Sequence, residues 1–79
     1  MQTWVDINNE VYIHYPATSW KLCFQECVYH RENGKSEKGY RFIWRRPNGS
    51  LQPARGQARI PSKGDLEYLL KEAHKAGWY

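Results

Sequence analysis

Between Tyr40 and Arg45 the side chains alternate without a break. Tyr40, Phe42 and Trp44 fall on one side and Arg41, Ile43 and Arg45 on the other, up to the run Pro47-Asn48-Gly49-Ser50. A period of two is the signature of a β-strand with one face inward. Asn-Gly accepts positive φ, so the run that follows predicts a reverse turn. The chain then returns through Leu51 and Pro53 into a second alternation. Ala54, Gly56, Ala58 and Ile60 are small or apolar, whereas Arg55, Gln57 and Arg59 are long and polar. A strand with one apolar face needs a covering layer, and the C-terminus supplies one.

Leu66, Leu69, Leu70 and Ala73 follow the i, i+3, i+4, i+7 spacing of an amphipathic helix, with Glu67, Lys71, Glu72 and Lys75 on the opposite side. Ser62 followed by Asp65 resembles a capping box, and Gly77 is suited to the left-handed residue that ends a helix. Trp78 falls where a Schellman motif folds an apolar side chain back onto the last turn. The spacing predicts a helix over about 63–76.

Upstream, Val11, Ile13 and Tyr15 alternate with Tyr12 and His14. Asn8-Asn9 reads as a turn joining this strand to one at about 3–7. Residues 20–31 admit two periods. Trp20, Leu22, Phe24 and Val28 share a face at period two, interrupted by Glu26. At period 3.6, Trp20, Cys23, Phe24, Cys27 and Val28 form a helical stripe that Ser19 would cap. Aromatic, Cys and Val content and the polar loop 33–39 favour the strand. The expected architecture is a single α+β domain spanning 1–79. It has a small antiparallel sheet of about four to five strands packed on one C-terminal helix, with residues 20–31 helical as the alternative.

A chain of 79 residues buries only roughly 60% of its unfolded surface. Twelve aromatics supply large side chains for the core. The cysteines do not staple it. Cys23 and Cys27 lie about 13 Å apart on a strand, or one turn apart on a helix, outside or at the limit of disulfide reach. Two free thiols, no basic-then-apolar segment at Met1-Gln2-Thr3-Trp4-Val5-Asp6 and no apolar run near 18 residues lead us to expect a cytoplasmic chain without a membrane span.

Several constellations resemble chemical sites. Gly34-Lys35-Ser36 has the tail of a phosphate-binding loop, but Tyr29 stands where its first glycine belongs, so a hairpin loop is expected. Cys23, Cys27 and His30 are possible zinc ligands, yet a structural site takes four, and buried thiols are the commoner case. Cys27 with His30 lacks an identifiable orienting group for nucleophilic catalysis, and the eight acids form no identifiable pair. No enzyme, metal or cofactor is expected.

Charge is the informative property. From Lys35 to Lys63 eight basic residues face the single acid Glu37, a net +7, while residues 1–34 sum to −2 and residues 64–79 to −1. Such a block implies a polyanion or an acidic protein surface as partner. If the two alternating segments are sheet neighbours, Arg41, Arg45, Arg55, Gln57 and Arg59 form one stripe, flanked by Arg46, Lys35 and Lys38. Arginine forks match phosphate oxygens, and Arg and Gln read purine edges. Arginines covering aromatics with their stems on a solvated sheet give the same pattern.

From about 40 to 77 this outline is similar to sheet-plus-helix DNA-binding domains, such as those preceding the catalytic domain of some tyrosine recombinases. The likeness lies in topology and implies a DNA-binding module. With 20–31 helical, the order would instead resemble a double-stranded RNA-binding domain, although only Lys63 stands where that family carries a basic cluster. The sequence therefore leads us to expect a small non-enzymatic nucleic-acid-binding module using a basic sheet face. The alternative is a protein-interaction or self-associating module with no nucleic-acid role.

Overall fold

A computed structural model describes residues 4–52 and 58–79. Three strands, β1 (Trp4–Tyr15), β2 (Trp20–His30) and β3 (Ser36–Arg45), form an antiparallel sheet in the order β1-β2-β3, followed by helix α1 (Lys63–Lys75). The class is α+β, as the alternation and the terminal amphipathic stripe predict.

The ambiguous segment 20–31 is the central strand, which removes the double-stranded RNA-binding order. Leu22 and Phe24 pair with Ile13 and Val11 on one side and with Trp44 and Phe42 on the other. The long-range pairing of β-formers on both flanks outweighs the local helical stripe. Ser19, a candidate helix cap, instead ends the β1–β2 turn. It adopts φ 62°, and its N–H donates to the Tyr15 carbonyl at 2.8 Å.

Two expectations are corrected. Asn8-Asn9 is no turn: β1 runs unbroken through it, with a β-bulge between Ile7 and Asn9. The extra residue is absorbed by a local irregularity that short polar side chains tolerate, rather than by chain reversal. The expected return strand after Pro47-Asn48-Gly49-Ser50 also shrinks. The turn forms, with Gly49 at φ 90°, and Leu51 bridges Arg45. Residues 58–60 then carry no strand, and 53–57 lie outside the described residues. Among the described residues the sheet has three strands, fewer than the four to five expected.

One sheet face carries the core. Leu22, Phe24, Leu69 and Ala73 are buried together, with Val11, Ile13, Phe42, Trp44, Ile60 and Trp78 packed around them. Phe24 stacks on Phe42 at 4.5 Å between centroids. The helix ends as its sequence predicts. Ser62 Oγ accepts from the Asp65 N–H at 3.1 Å, and Gly77 sits at φ 85°. The Trp78 N–H reaches the Ala73 carbonyl, the long bond of a Schellman motif. The Trp78 ring then lies against Phe24, 5.3 Å between centroids. Its burial closes the open end of the core.

Candidate nucleic-acid interface

Because Leu22 and Phe24 turn toward α1, the alternate residues of each strand form the helix-free face. There β1 contributes Glu10, Tyr12 and His14, β2 contributes Lys21, Cys23, Gln25 and Cys27, and β3 contributes Arg41, Ile43 and Arg45. Gln25, fully buried at the middle of the central strand, faces Glu10 on one flank and Arg41 on the other.

The polar groups form one network. Gln25 Nε2 donates to Glu10 Oε1 at 2.6 Å, and Arg41 Nε donates to Gln25 Oε1 at 2.7 Å. Arg45 donates through one terminal nitrogen to Glu10 Oε1 and through the other to the Gly49 carbonyl, both at 2.7 Å. Lys21 Nζ lies 4.7 Å from the centroid of the Tyr12 ring, within cation–π range. Burial opposes ionisation of Glu10. Hydrogen bonds from Gln25 and Arg45, together with the Arg45 charge, outweigh it and hold the carboxyl below its ordinary value. Three cations thus surround the ionised Glu10 on this face, whose other acid, Glu37, pairs with Arg31, and two guanidinium groups are held in place by side-chain acceptors.

Cys23 and Cys27 lie beneath this network, both fully buried and free. Burial, and then the nearby Glu10 charge, pushes the Cys23 thiol up to about 11, and burial also raises Cys27. Such thiols are protonated and unreactive near neutrality. His30 points to the other face, as alternation requires. Its Nε2 lies 2.8 Å from Asp6 Oδ2 and its Nδ1 3.0 Å from Ser36 Oγ. The trio Cys23, Cys27 and His30 is therefore split across the sheet. Among the described residues no cluster of three or more metal-ligating side chains occurs. Gly34-Lys35-Ser36 closes the β2–β3 hairpin, where the Arg31 N–H donates to the Lys35 carbonyl.

Of the five residues expected in one stripe, with Arg46 at its flank, the described ones do not all share a face. Arg41 and Arg45 share the helix-free face. Arg46, next in sequence, points to the other side and bonds Ser50 Oγ at 3.3 Å and the Leu51 carbonyl at 3.4 Å. Arg59 is exposed, and its carbonyl accepts from Trp44 Nε1 at 3.1 Å, which holds its backbone on the helix-bearing side. Arg55 and Gln57 lie outside the described residues. Of the flanking lysines, Lys38 pairs with Glu26 on the helix-bearing side at 3.2 Å.

Sequence reasoning missed Lys21, Glu10 and Gln25. The signal was present: each alternates with a core residue of its strand, so choosing the strand period for 20–31 already puts Lys21 and Gln25 opposite Leu22 and Phe24. Among the described residues no helix is long and apolar enough to cross a membrane. Comparison with protein-family models, with curated proteins and with solved structures finds no match to this chain.

Proposed function

We propose that the chain is a small, non-enzymatic, cytoplasmic nucleic-acid-binding module whose contact surface is the helix-free sheet face. The observation that carries this reading is the pair Arg41 and Arg45, held by Gln25 and Glu10 beside Lys21. A guanidinium already fixed by a side-chain acceptor loses less freedom when it meets a phosphate, so more of the contact energy appears as affinity. Arg41 and Arg45 are four residues apart on one strand, about 13 Å, which lets them engage separate phosphates. Strands are also among the elements that proteins place in a DNA groove. Arg46 and Arg59 add positive charge outside this face, and the sequence charge of Arg55 adds to the same long-range attraction rather than to the contact itself.

Fluorescence anisotropy of labelled duplex DNA, single-stranded DNA and duplex RNA over a salt series tests the proposal. Binding to one of them with a dissociation constant near or below about 1 μM at physiological salt, weakening steeply as salt rises, supports it. Uniformly weak binding leaves the basic face as a docking surface for an acidic protein.

A further inference from the structure

β1 is an edge strand, and its outer rim bears no partner strand among the described residues. Long exposed edges recruit other strands unless something blunts them. Here the blunting devices sit at the two ends. The bulge between Ile7 and Asn9 interrupts the ladder on one side, and Pro16, which has no N–H, follows Tyr15 on the other. Between them, Asn9 to Tyr15 form seven residues in unbroken register with β2.

We propose that this segment pairs antiparallel with the same segment of a second copy, across a two-fold axis at Tyr12, giving a continuous six-stranded sheet. Geometry selects the centre. A two-fold axis perpendicular to the sheet keeps each face on its own side, so opposed residues must have the same orientation, and the axis must pass through a residue. Centring on Val11 draws Asn8, at the bulge, into the ladder. Centring on Ile13 sets Glu10 against Pro16. Only Tyr12 keeps the pairing within Asn9–Tyr15.

That register is self-complementary. Tyr12 meets Tyr12, Val11 meets Ile13, and Glu10 meets His14 of the second copy. Glu10 receives both of its described hydrogen bonds on Oε1, which leaves Oε2 to accept from the imidazole. The Tyr12 side chain is 48% exposed and gains an aromatic partner, and the Val11–Ile13 pairs extend the apolar face under the helices. A depression of about 470 Å³, lined by Tyr12, Ile13, His14, Asp65 and Tyr68, runs along this rim. The exposed Tyr68 of α1 stands beside it and can cover the joined edges. This inference is independent of the nucleic-acid reading, and each can fail without the other.

Sedimentation velocity over a concentration series and cysteine cross-linking test the proposal. The wild-type chain is expected to dimerise with rising concentration, and His14→Glu, which sets two acids opposite each other, to weaken the dimer at least about tenfold. Tyr12→Cys places two thiols directly opposite across the axis, within reach of a disulfide after slight adjustment, and is expected to cross-link on mild oxidation. His14→Cys puts its two thiols about 13 Å apart and is expected not to. Both cysteine variants carry Cys23→Ser, because Cys23 is the cross-strand partner of position 12 within one chain and would otherwise capture the new thiol, and the Cys23→Ser chain is the blank. A wild-type chain that stays monomeric up to about millimolar concentration overturns the proposal. So does equal cross-linking of the two cysteine variants, a result that does not depend on whether His14→Glu folds.

Discussion

Tyr15 Oη donates to Asp65 Oδ2 at 2.6 Å, joining the last residue of β1 to the first turn of α1 across fifty positions of sequence. The sequence predicts a capping box in which Asp65 turns back toward Ser62. Only half of it forms: Ser62 caps the Asp65 N–H, while the Asp65 carboxylate holds the sheet. Burial, and then the Asp65 hydrogen bond and charge, pushes the Tyr15 phenol up to about 12. A group whose pKa rises on folding stabilises the fold fully below its unfolded value near 10 and loses that contribution as pH climbs through about 12. Tyr15→Phe is therefore expected to lower stability by about 1 kcal/mol at pH 7 and to lack the decline between about pH 10 and 12. Urea melts at pH 7 and pH 11 check both statements.

Glu10 is the only acid in the helix-free network among the described residues, and both Gln25 and Arg45 donate to it. Its depressed pKa means that it stabilises the fold above its ordinary value near 4.5, and that this contribution is lost as pH falls through the lower, folded value. Glu10→Ala should cost about 2 kcal/mol at neutral pH, because it strands a fully buried amide and a half-buried guanidinium. At about pH 2 the difference between variant and wild type should shrink, which chemical denaturation at the two pH values measures.

The thiols offer a test of sheet orientation. With Cys23 and Cys27 both buried under Gln25 and the arginines, an aromatic disulfide reagent at pH 8 should react with neither in the native chain and with both in denaturant. Rapid native labelling would show that the helix-free face is open down to the backbone.

Gly77 occupies a left-handed conformation that L side chains adopt at a cost, and the cap it forms brings Trp78 onto Phe24. Gly77→Ala should destabilise by about 1 kcal/mol. Thermal melts followed by tryptophan fluorescence report the loss and the exposure of the Trp78 ring together.

The parts of the molecule governed by local chemistry were legible from sequence. Ser62, Gly77 and the Leu69–Ala73 stripe act within one or two turns, and Asn48-Gly49 acts within one turn, so each could be read in place. Asn8-Asn9 could not. The same backbone tolerance serves a turn or a bulge, and the choice lies with the cross-strand register of Ile7 and Asn9 against Cys27 and Glu26. Strand phase also governs the described part of the basic stripe. Charge counts place Arg46 and Arg59 beside Arg41 and Arg45, but only strand phase shows which of them share a face. Gln25 and Glu10 escaped notice because a buried polar pair carries no periodic signal of its own until the strand that holds it is fixed.

The measurement that bears most directly on the nucleic-acid reading is the salt dependence of binding after charge removal from opposite sides of the molecule. One variant carries Lys21→Gln and Arg41→Gln on the helix-free face, where glutamine can still donate to Gln25. The other carries Lys63→Gln and Lys71→Gln on the exposed side of α1. Both remove two charges, so any effect of net charge alone is the same. Binding through the sheet face predicts that the slope of log affinity against log salt falls by about two for the first variant and stays nearly unchanged for the second. Equal losses in the two variants, or a loss confined to the helix variant, would contradict it.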